Sequence, residues 1–230
     1  MPHISQPLEP ATGWGVLHLF CEAGPRVDVE AVLDAVKSAN EAGLQVVAAV
    51  ILGHKADIVL MVLGTDLWKL RAFQTSVRHA GLKPVASYVS LTEVSEYASG
   101  IPEEMREARL HPQLPPEGMA AFCFYPMSKR RSAGDNWYTL SFEERKALML
   151  AHGKVGRTFH GRIVQVITGS TGLDDWEWGV TLFGVHPDDL KACVYEMRFD
   201  EGSARYAEFG PFYSGMVADV ADALDQVLGR

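Results

Sequence analysis

Along the first part of the chain the apolar positions switch between a period of two and a period near 3.6. Residues 14–20 alternate as a half-buried strand does, and residues 28–42 set Val32, Leu33, Val36 and Ala39 on one helical face before Gly43 closes it. Residues 44–52 and 57–63 are apolar, β-branched runs on either side of Gly53-His54-Lys55-Ala56, the pattern of a hairpin. Thr65 then caps a helix carrying Leu67, Leu70 and Phe73 to a stop at His79-Ala80-Gly81, and residues 85–91 read as a strand. The order is βαββαβ.

A connector over residues 92–118, rich in Pro, Glu and Arg, separates this unit from a second one in the same order. Residues 119–125 form a strand, and 141–152 a helix opened by the capping box Ser141/Glu144 and stopped by Gly153. Strands 162–168 and 176–183 flank the turn Gly169-Ser170-Thr171-Gly172, followed by a helix at 187–197 and a strand at 205–213. The expected fold class is α+β, with two ferredoxin-like βαββαβ units per chain and their sheets packed together as in a dimeric α+β barrel. The units are assigned to residues 1–118 and 119–230. The expectation rests on element order, since no residue-level repeat is visible. Val217, Val220, Leu224 and Leu228 give the tail an amphipathic spacing suited to a packing or subunit-contact helix.

Composition narrows the possible partners. A chain of 230 residues buries about 70% of its unfolded surface. With 21 Lys+Arg against 29 Asp+Glu the net charge is −8, which opposes nucleic acid as the main partner and requires a local basic cluster for any anionic ligand. Cys21, Cys123 and Cys193 have no paired spacing, so a reducing cytoplasm is expected. Residues 1–13 show no basic-then-apolar leader pattern, and the longest apolar run, 46–53, is far short of a membrane span.

The candidate chemistry begins with His152, at the expected end of a helix, with Leu148 and Met149 one turn before it. An imidazole leaving on an apolar face is either a core histidine bonded to a helix-end carbonyl or a single axial ligand to a metal or haem. Both readings stand on the residues alone. Asp174-Asp175-Trp176-Glu177-Trp178 lacks the spacing of a calcium loop and suits a strand with charged flanks. Gly169-Ser170-Thr171-Gly172 opens no helix and has no following Lys, so it is no P-loop, and Ser203, His160 and Asp200 lack a nucleophile elbow. In Phe122-Cys123-Phe124-Tyr125-Pro126-Met127-Ser128-Lys129-Arg130-Arg131, an apolar strand runs straight into three cations.

That junction belongs to a longer pattern. Tyr125-Pro126-Met127-Ser128-Lys129-Arg130-Arg131, Asp135-Asn136-Trp137-Tyr138, Glu143-Glu144-Arg145, His152-Gly153, the run from Ile167 to Phe183, and Tyr195-Glu196-Met197-Arg198-Phe199-Asp200-Glu201 with Ser203-Ala204-Arg205-Tyr206 together resemble the coproheme decarboxylases, the haem-synthesis branch of the chlorite dismutase family. The match is dense over residues 122–213 and looser before them. The resemblance implies two ferredoxin-like units per chain, a homopentamer and a reaction. The substrate is coproheme (Fe-coproporphyrin III), whose iron is also the redox centre. Two of its four propionates leave as carbon dioxide to give haem b, with hydrogen peroxide as oxidant. Transient contact with the coproporphyrin ferrochelatase is implied as well.

Carried over residue by residue, the resemblance makes His152 the proximal iron ligand and Tyr125 the catalytic tyrosine, whose radical takes hydrogen from the propionate carbon next to the ring. Lys129 matches the lysine beside the second reactive propionate, where a compact cation can hold a carboxylate or hand over a proton. Met127, Arg198 and Ser203 match porphyrin-binding positions. Gln165 stands where chlorite dismutases have a distal arginine, which speaks against chlorite decomposition. Arg109 matches a further propionate-binding arginine. His111 reads either as a distal base for peroxide or as a surface histidine before Pro112 in a solvated connector. Tyr88 either faces the porphyrin or packs. Arg130 and Arg131 read as solvated or propionate-steering charges. Two other classes remain open: a haem-binding or delivery protein of the same fold, and chlorite dismutase.

Overall fold

The computed structural model describes residues 6–98 and 100–230, so the reading of residues 1–5 as free of a leader pattern lies outside the described residues. The order is β1 (Gly15–Ala23), α1 (Val29–Glu41), β2 (Gln45–Ile51), β3 (Ile58–Gly64), α2 (Leu67–His79), β4 (Leu82–Thr92), α3 (Glu103–Leu110), β5 (Ala121–Lys129), β6 (Arg131–Ser132) and β7 (Asp135–Asn136). A 3-10 turn at Trp137–Thr139 leads to α4 (Phe142–Arg157), β8 (Ile163–Gly169), β9 (Trp178–Gly184), α5 (Pro187–Met197), α6 (Glu201–Ala204), β10 (Ala207–Phe209), β11 (Tyr213–Ala218) and α7 (Val220–Leu228). No helix among the described residues is long and apolar enough to cross a membrane.

The main sheet is antiparallel and runs β10-β5-β11-β2-β3-β1-β4-β8-β9, and β9 pairs back onto β5. Within each half the strand order is that of a ferredoxin-like unit: β2-β3-β1-β4 in the first and β8-β9-β5-β11 in the second. Two seams, β4 to β8 and β11 to β2, join the halves and close the sheet into a barrel without a free outer strand pair at either seam.

The period of two divides every strand between two cores. In β1, Val16 and Phe20 point into the barrel, while Leu17, Leu19 and Cys21 point out towards α1, α2 and α7. In the second half Phe122, Phe124, Val166 and Phe183 point inward, whereas Cys123, Tyr125, Ile163, Val180 and Leu182 form an outer layer under α5. The barrel interior draws on both halves, and the outer face of β5, β8 and β9 is left for helices and for whatever else it binds.

Several local expectations change. Asp66, not Thr65, caps α2, its carboxylate accepting from the Trp68 N–H at 3.0 Å. The connector holds α3, whose only buried side chain is Leu110, so its sequence carries almost no periodic signal. α4 runs through Gly153 to Arg157. An interior glycine costs only about 1 kcal/mol against alanine, and Lys154 and Arg157 in the last turn suit the helix dipole. His152 therefore lies inside the helix rather than in its last turn. The strand expected at 205–213 is two short strands, β10 and β11, and the tail helix starts at Val220 and buries Ala223 and Leu224 in the core of the first half.

Candidate functional site

β5 builds one wall of the site. Alternation along it puts Cys123, Tyr125, Met127 and Lys129 on the outer face while Phe122 and Phe124 fill the barrel. Tyr125 is 8% exposed, stacked on Phe212 with ring centroids 4.4 Å apart and edge-on to Phe209 at 5.7 Å. Burial pushes its phenol above the usual tyrosine range, with neighbouring Cys123 and Cys193 adding to the effect and Arg198 opposing it. Four strand residues further on, about 13 Å by strand rise, Lys129 ends the strand and is also buried. Its Nζ donates to the Gly202 carbonyl at 2.9 Å and lies 4.2 Å from the centre of the Trp137 ring. Burial lowers its pKa to about 8, against the opposing pull of Asp200 and Glu177.

α4 supplies the facing wall. The His152 Nδ1–H donates to Asp200 Oδ2 at 3.0 Å, with Ser203 Oγ 3.4 Å from the same nitrogen. Asp200 caps α6 by accepting from the Ser203 N–H at 3.2 Å, so one short turn presents both groups to the imidazole. Burial alone would push the Asp200 carboxyl up, but the hydrogen bonds from His152 and Ser203 outweigh it and hold the carboxyl below its usual range. With Nδ1 committed to a carboxylate, the Nε2 lone pair is the donor atom left for a metal, the arrangement that orients a histidine ligand and raises its basicity. Because the serine and the aspartate approach the same nitrogen, this is not a hydrolytic relay. His160, the histidine considered for such a relay, is exposed.

Apolar side chains on both walls stay partly exposed. Although α4 is the longest helix of the second half, it buries no residue completely; Leu148, Met149, His152 and Val155 stay half-exposed. It leans on α5 and α6, whereas α5 packs directly on β5, β8 and β9. On the sheet side, Ile167 of the outer face is 43% exposed beside the Val180–Tyr125 row. Gln165 spans the gap: a Cβ at Gly156, one turn past His152, would stand 3.5 Å from Gln165 Nε2 and 3.0 Å from Met197 Cε. Gln165 Nε2 also lies 3.7 Å from Cys193 Sγ. The sheet thus presents a neutral amide to α4 one helical turn past the histidine. An open cleft of about 540 Å³ along the first turns of α4, lined by residues such as Asn136, Arg205 and Tyr206, touches none of Tyr125, Lys129, Gln165 or His152 and is not this site.

Tyr125, Met127, Lys129, Gln165, Arg198, Ser203 and His152 all belong to these walls or their rim. Arg198 follows α5, with its guanidinium 4.9 Å from the Phe209 ring that also packs on Tyr125. Arg109 is exposed in the last turn of α3, and His111 bonds Glu107 at 2.8 Å and lies 5.1 Å from the Trp14 ring, so neither partner is a residue of the site. Tyr88 is buried in the barrel, bonded to Ser170. In the acidic turn, Asp174 accepts from the Val89 N–H at 2.8 Å. Asp200, Glu177 and Trp137 were missed as site residues. Only Asp200 carried a legible local signal, a cap before Glu201-Gly202-Ser203; its pairing with His152 spans 48 residues.

Comparison with known proteins agrees with this fold. The family model described as chlorite dismutase matches residues 26–218. The chain is 41% identical to the coproheme decarboxylase of Staphylococcus carnosus (strain TM300), over 93% of this chain and 95% of that protein. Among solved structures it is similar to a heme-binding protein from Thermus thermophilus, with 37% identity and a TM-score of 0.83 over 100% of this chain and 99% of that one. A mutant chlorite dismutase from Candidatus Nitrospira defluvii shares the fold, with a TM-score of 0.78 at 18% identity over 95% of this chain and 97% of that one. With the closed pair of ferredoxin-like sheets and a histidine tied to a carboxylate, these matches place the chain in the chlorite dismutase family.

Proposed function

We propose that this protein is a coproheme decarboxylase, converting two propionates of Fe-coproporphyrin III to the vinyls of haem b with hydrogen peroxide as oxidant. The observation that carries the reading is the pairing of a carboxylate-tied His152 with a sheet face bearing both Tyr125 and Lys129. The substrate's own iron supplies the redox chemistry, and His152 Nε2 is the atom that would hold it.

Each propionate gives up carbon dioxide, two protons and two electrons in becoming a vinyl, and each peroxide takes up two protons and two electrons to become two waters. Tyr125 serves the first propionate. Its raised pKa keeps the O–H in place at neutral pH, so it can lose a hydrogen atom to the oxidised site and regain one from the propionate carbon next to the ring. The Lys129 backbone stands about 13 Å away along the same face, a spacing that suits a second side group of one macrocycle. With a pKa of about 8 it can hold a carboxylate or hand over a proton near neutrality. Arg198 at the rim matches a carboxylate with its guanidinium fork, and Gln165 and Met127 contact the ring from the sheet. Ser203 reaches the porphyrin from the His152 side. Arg109 and His111 would need the connector to approach before acting on a propionate or on peroxide.

The porphyrin-binding unit is residues 119–230, with 1–118 as its structural partner. A homopentamer in the cytoplasm, in transient contact with the coproporphyrin ferrochelatase, completes the proposal. Mass spectrometry after anaerobic loading with iron coproporphyrin III and addition of peroxide tests the reaction. Two successive losses of carbon dioxide with two hydrogens are expected; intact binding with an unchanged porphyrin mass would overturn the proposal and favour a haem-binding protein, the description carried by the Thermus thermophilus relative.

A further inference from the structure

β5 outruns its neighbour. Its register with β9 ends at the pair Met127 and Trp178, and continuing it would set Trp176 opposite Lys129. That pairing does not form, because the Trp176 carbonyl accepts from the Ser170 hydroxyl at 2.7 Å and the Tyr88 hydroxyl at 3.3 Å. The Glu177 side chain stands in for the missing carbonyl: its Oε2 accepts the Lys129 backbone N–H at 2.7 Å. The Glu177 backbone N–H closes the same junction onto the Met127 carbonyl at 3.1 Å and Ser128 Oγ at 3.2 Å.

Glu177 is 7% exposed, and a buried carboxylate persists only where hydrogen bonds and an opposite charge offset its lost hydration. Here they are the Lys129 N–H and the Lys129 ammonium itself. With the start of the lysine chain held by Glu177 and its end by the Gly202 carbonyl and the Trp137 ring, the reach of the ammonium is set from both sides. The charged groups facing it are Glu177 on the approach to β9 and Asp200 before α6, with Tyr138 and Arg131 behind Glu177.

We propose that Glu177 is a positioning residue for the reaction: its carboxylate takes the place of a missing strand at the end of β5 and so sets where the Lys129 ammonium stands. The proposal rests on assigning Lys129 to the second propionate.

Two variants test it in the coproheme-loaded full chain. Glu177→Ala should lose the first carboxyl at close to the wild-type rate and the second about tenfold to a hundredfold more slowly, the scale of a misplaced reacting group. Glu177→Gln keeps an acceptor oxygen without the charge. It should recover most of the second-step rate at its optimum, while the alkaline decline of that step begins at lower pH because Lys129 loses its proton more readily. In the substrate-free protein, amide hydrogen exchange at Lys129 should be faster in Glu177→Ala and restored in Glu177→Gln. A wild-type second step and pH profile in both variants, or an equally protected Lys129 amide in Glu177→Ala, overturns the proposal. If Glu177→Ala does not fold, Glu177→Gln carries the pH test alone. Should the wild-type protein leave coproheme unchanged, the decarboxylase reading falls, and the exchange measurement still decides whether Glu177 holds Lys129.

Discussion

His18 should make the barrel acid-sensitive in a way that one substitution removes. It is 0% exposed, with Nε2 3.0 Å from Thr181 Oγ1 and its ring 4.4 Å from that of Phe124. Nδ1 has no partner among the described residues. Burial lowers its pKa from 6.5 to about 3. The folded value is depressed, so His18 costs nothing above the unfolded pKa and destabilises the fold increasingly as pH falls from 6.5 towards 3. The difference of about 3.5 pH units, at about 1.36 kcal/mol each, amounts to about 5 kcal/mol by pH 3 and about 2 kcal/mol at pH 5. His18→Leu removes the titrating group at similar bulk, and the Thr181 hydroxyl loses a partner at a cost that does not vary over this range. Urea unfolding of both proteins at about pH 7.5 and about pH 5 isolates the effect, since every other carboxylate and histidine is common to both. The stability difference should move by about 2 kcal/mol in favour of the variant on acidification. Parallel losses in the two proteins would show that His18 is not held neutral by the barrel.

Asp200→Ala should weaken coproheme affinity about tenfold to a hundredfold, the usual effect of losing a ligand's carboxylate partner, and shift the visible spectrum of the ferric complex; an unchanged spectrum means Asp200 does not orient His152. Tyr125→Phe keeps the stacking on Phe212, so its unfolding free energy should stay within about 1 kcal/mol of wild type while mass spectrometry finds bound coproheme with all four propionates. Lys129→Met should stop at the product that has lost one carboxyl. Near pH 7 it should also be free of the penalty of about 3 kcal/mol that wild type carries for a charged lysine whose pKa burial lowers from 10.5 to about 8, set against the lost Gly202 bond and the loss of the cation beside Glu177. That advantage should shrink as pH rises from about 8 to 10.5, which denaturation at several pH values would follow.

The repeated βαββαβ order, the turns and the candidate His152 were determined by local sequence, while Tyr125 and Lys129 became candidates through the family resemblance. Strand and helix periods are properties of neighbouring residues, and alternation alone puts Tyr125 and Lys129 on one face. The barrel was expected from the repeated order, but the seams that close it, β4–β8 and β11–β2, were not legible, because they are short and join residues far apart in the chain. Nor was the true end of α4: Gly153 has the chemistry of a stop, but the packing of α4 on α5 and α6 carries the helix four residues further. His152 shows the division most plainly. Its sequence neighbours favoured a core histidine over an iron ligand, since the tautomer and the direction of an imidazole depend on what reaches its other nitrogen. Asp200, 48 residues away, decides that by taking Nδ1, and Glu177 does the same for the end of β5. Residue types and periods are written along the chain, whereas the partners of a buried polar atom exist only once distant segments have met.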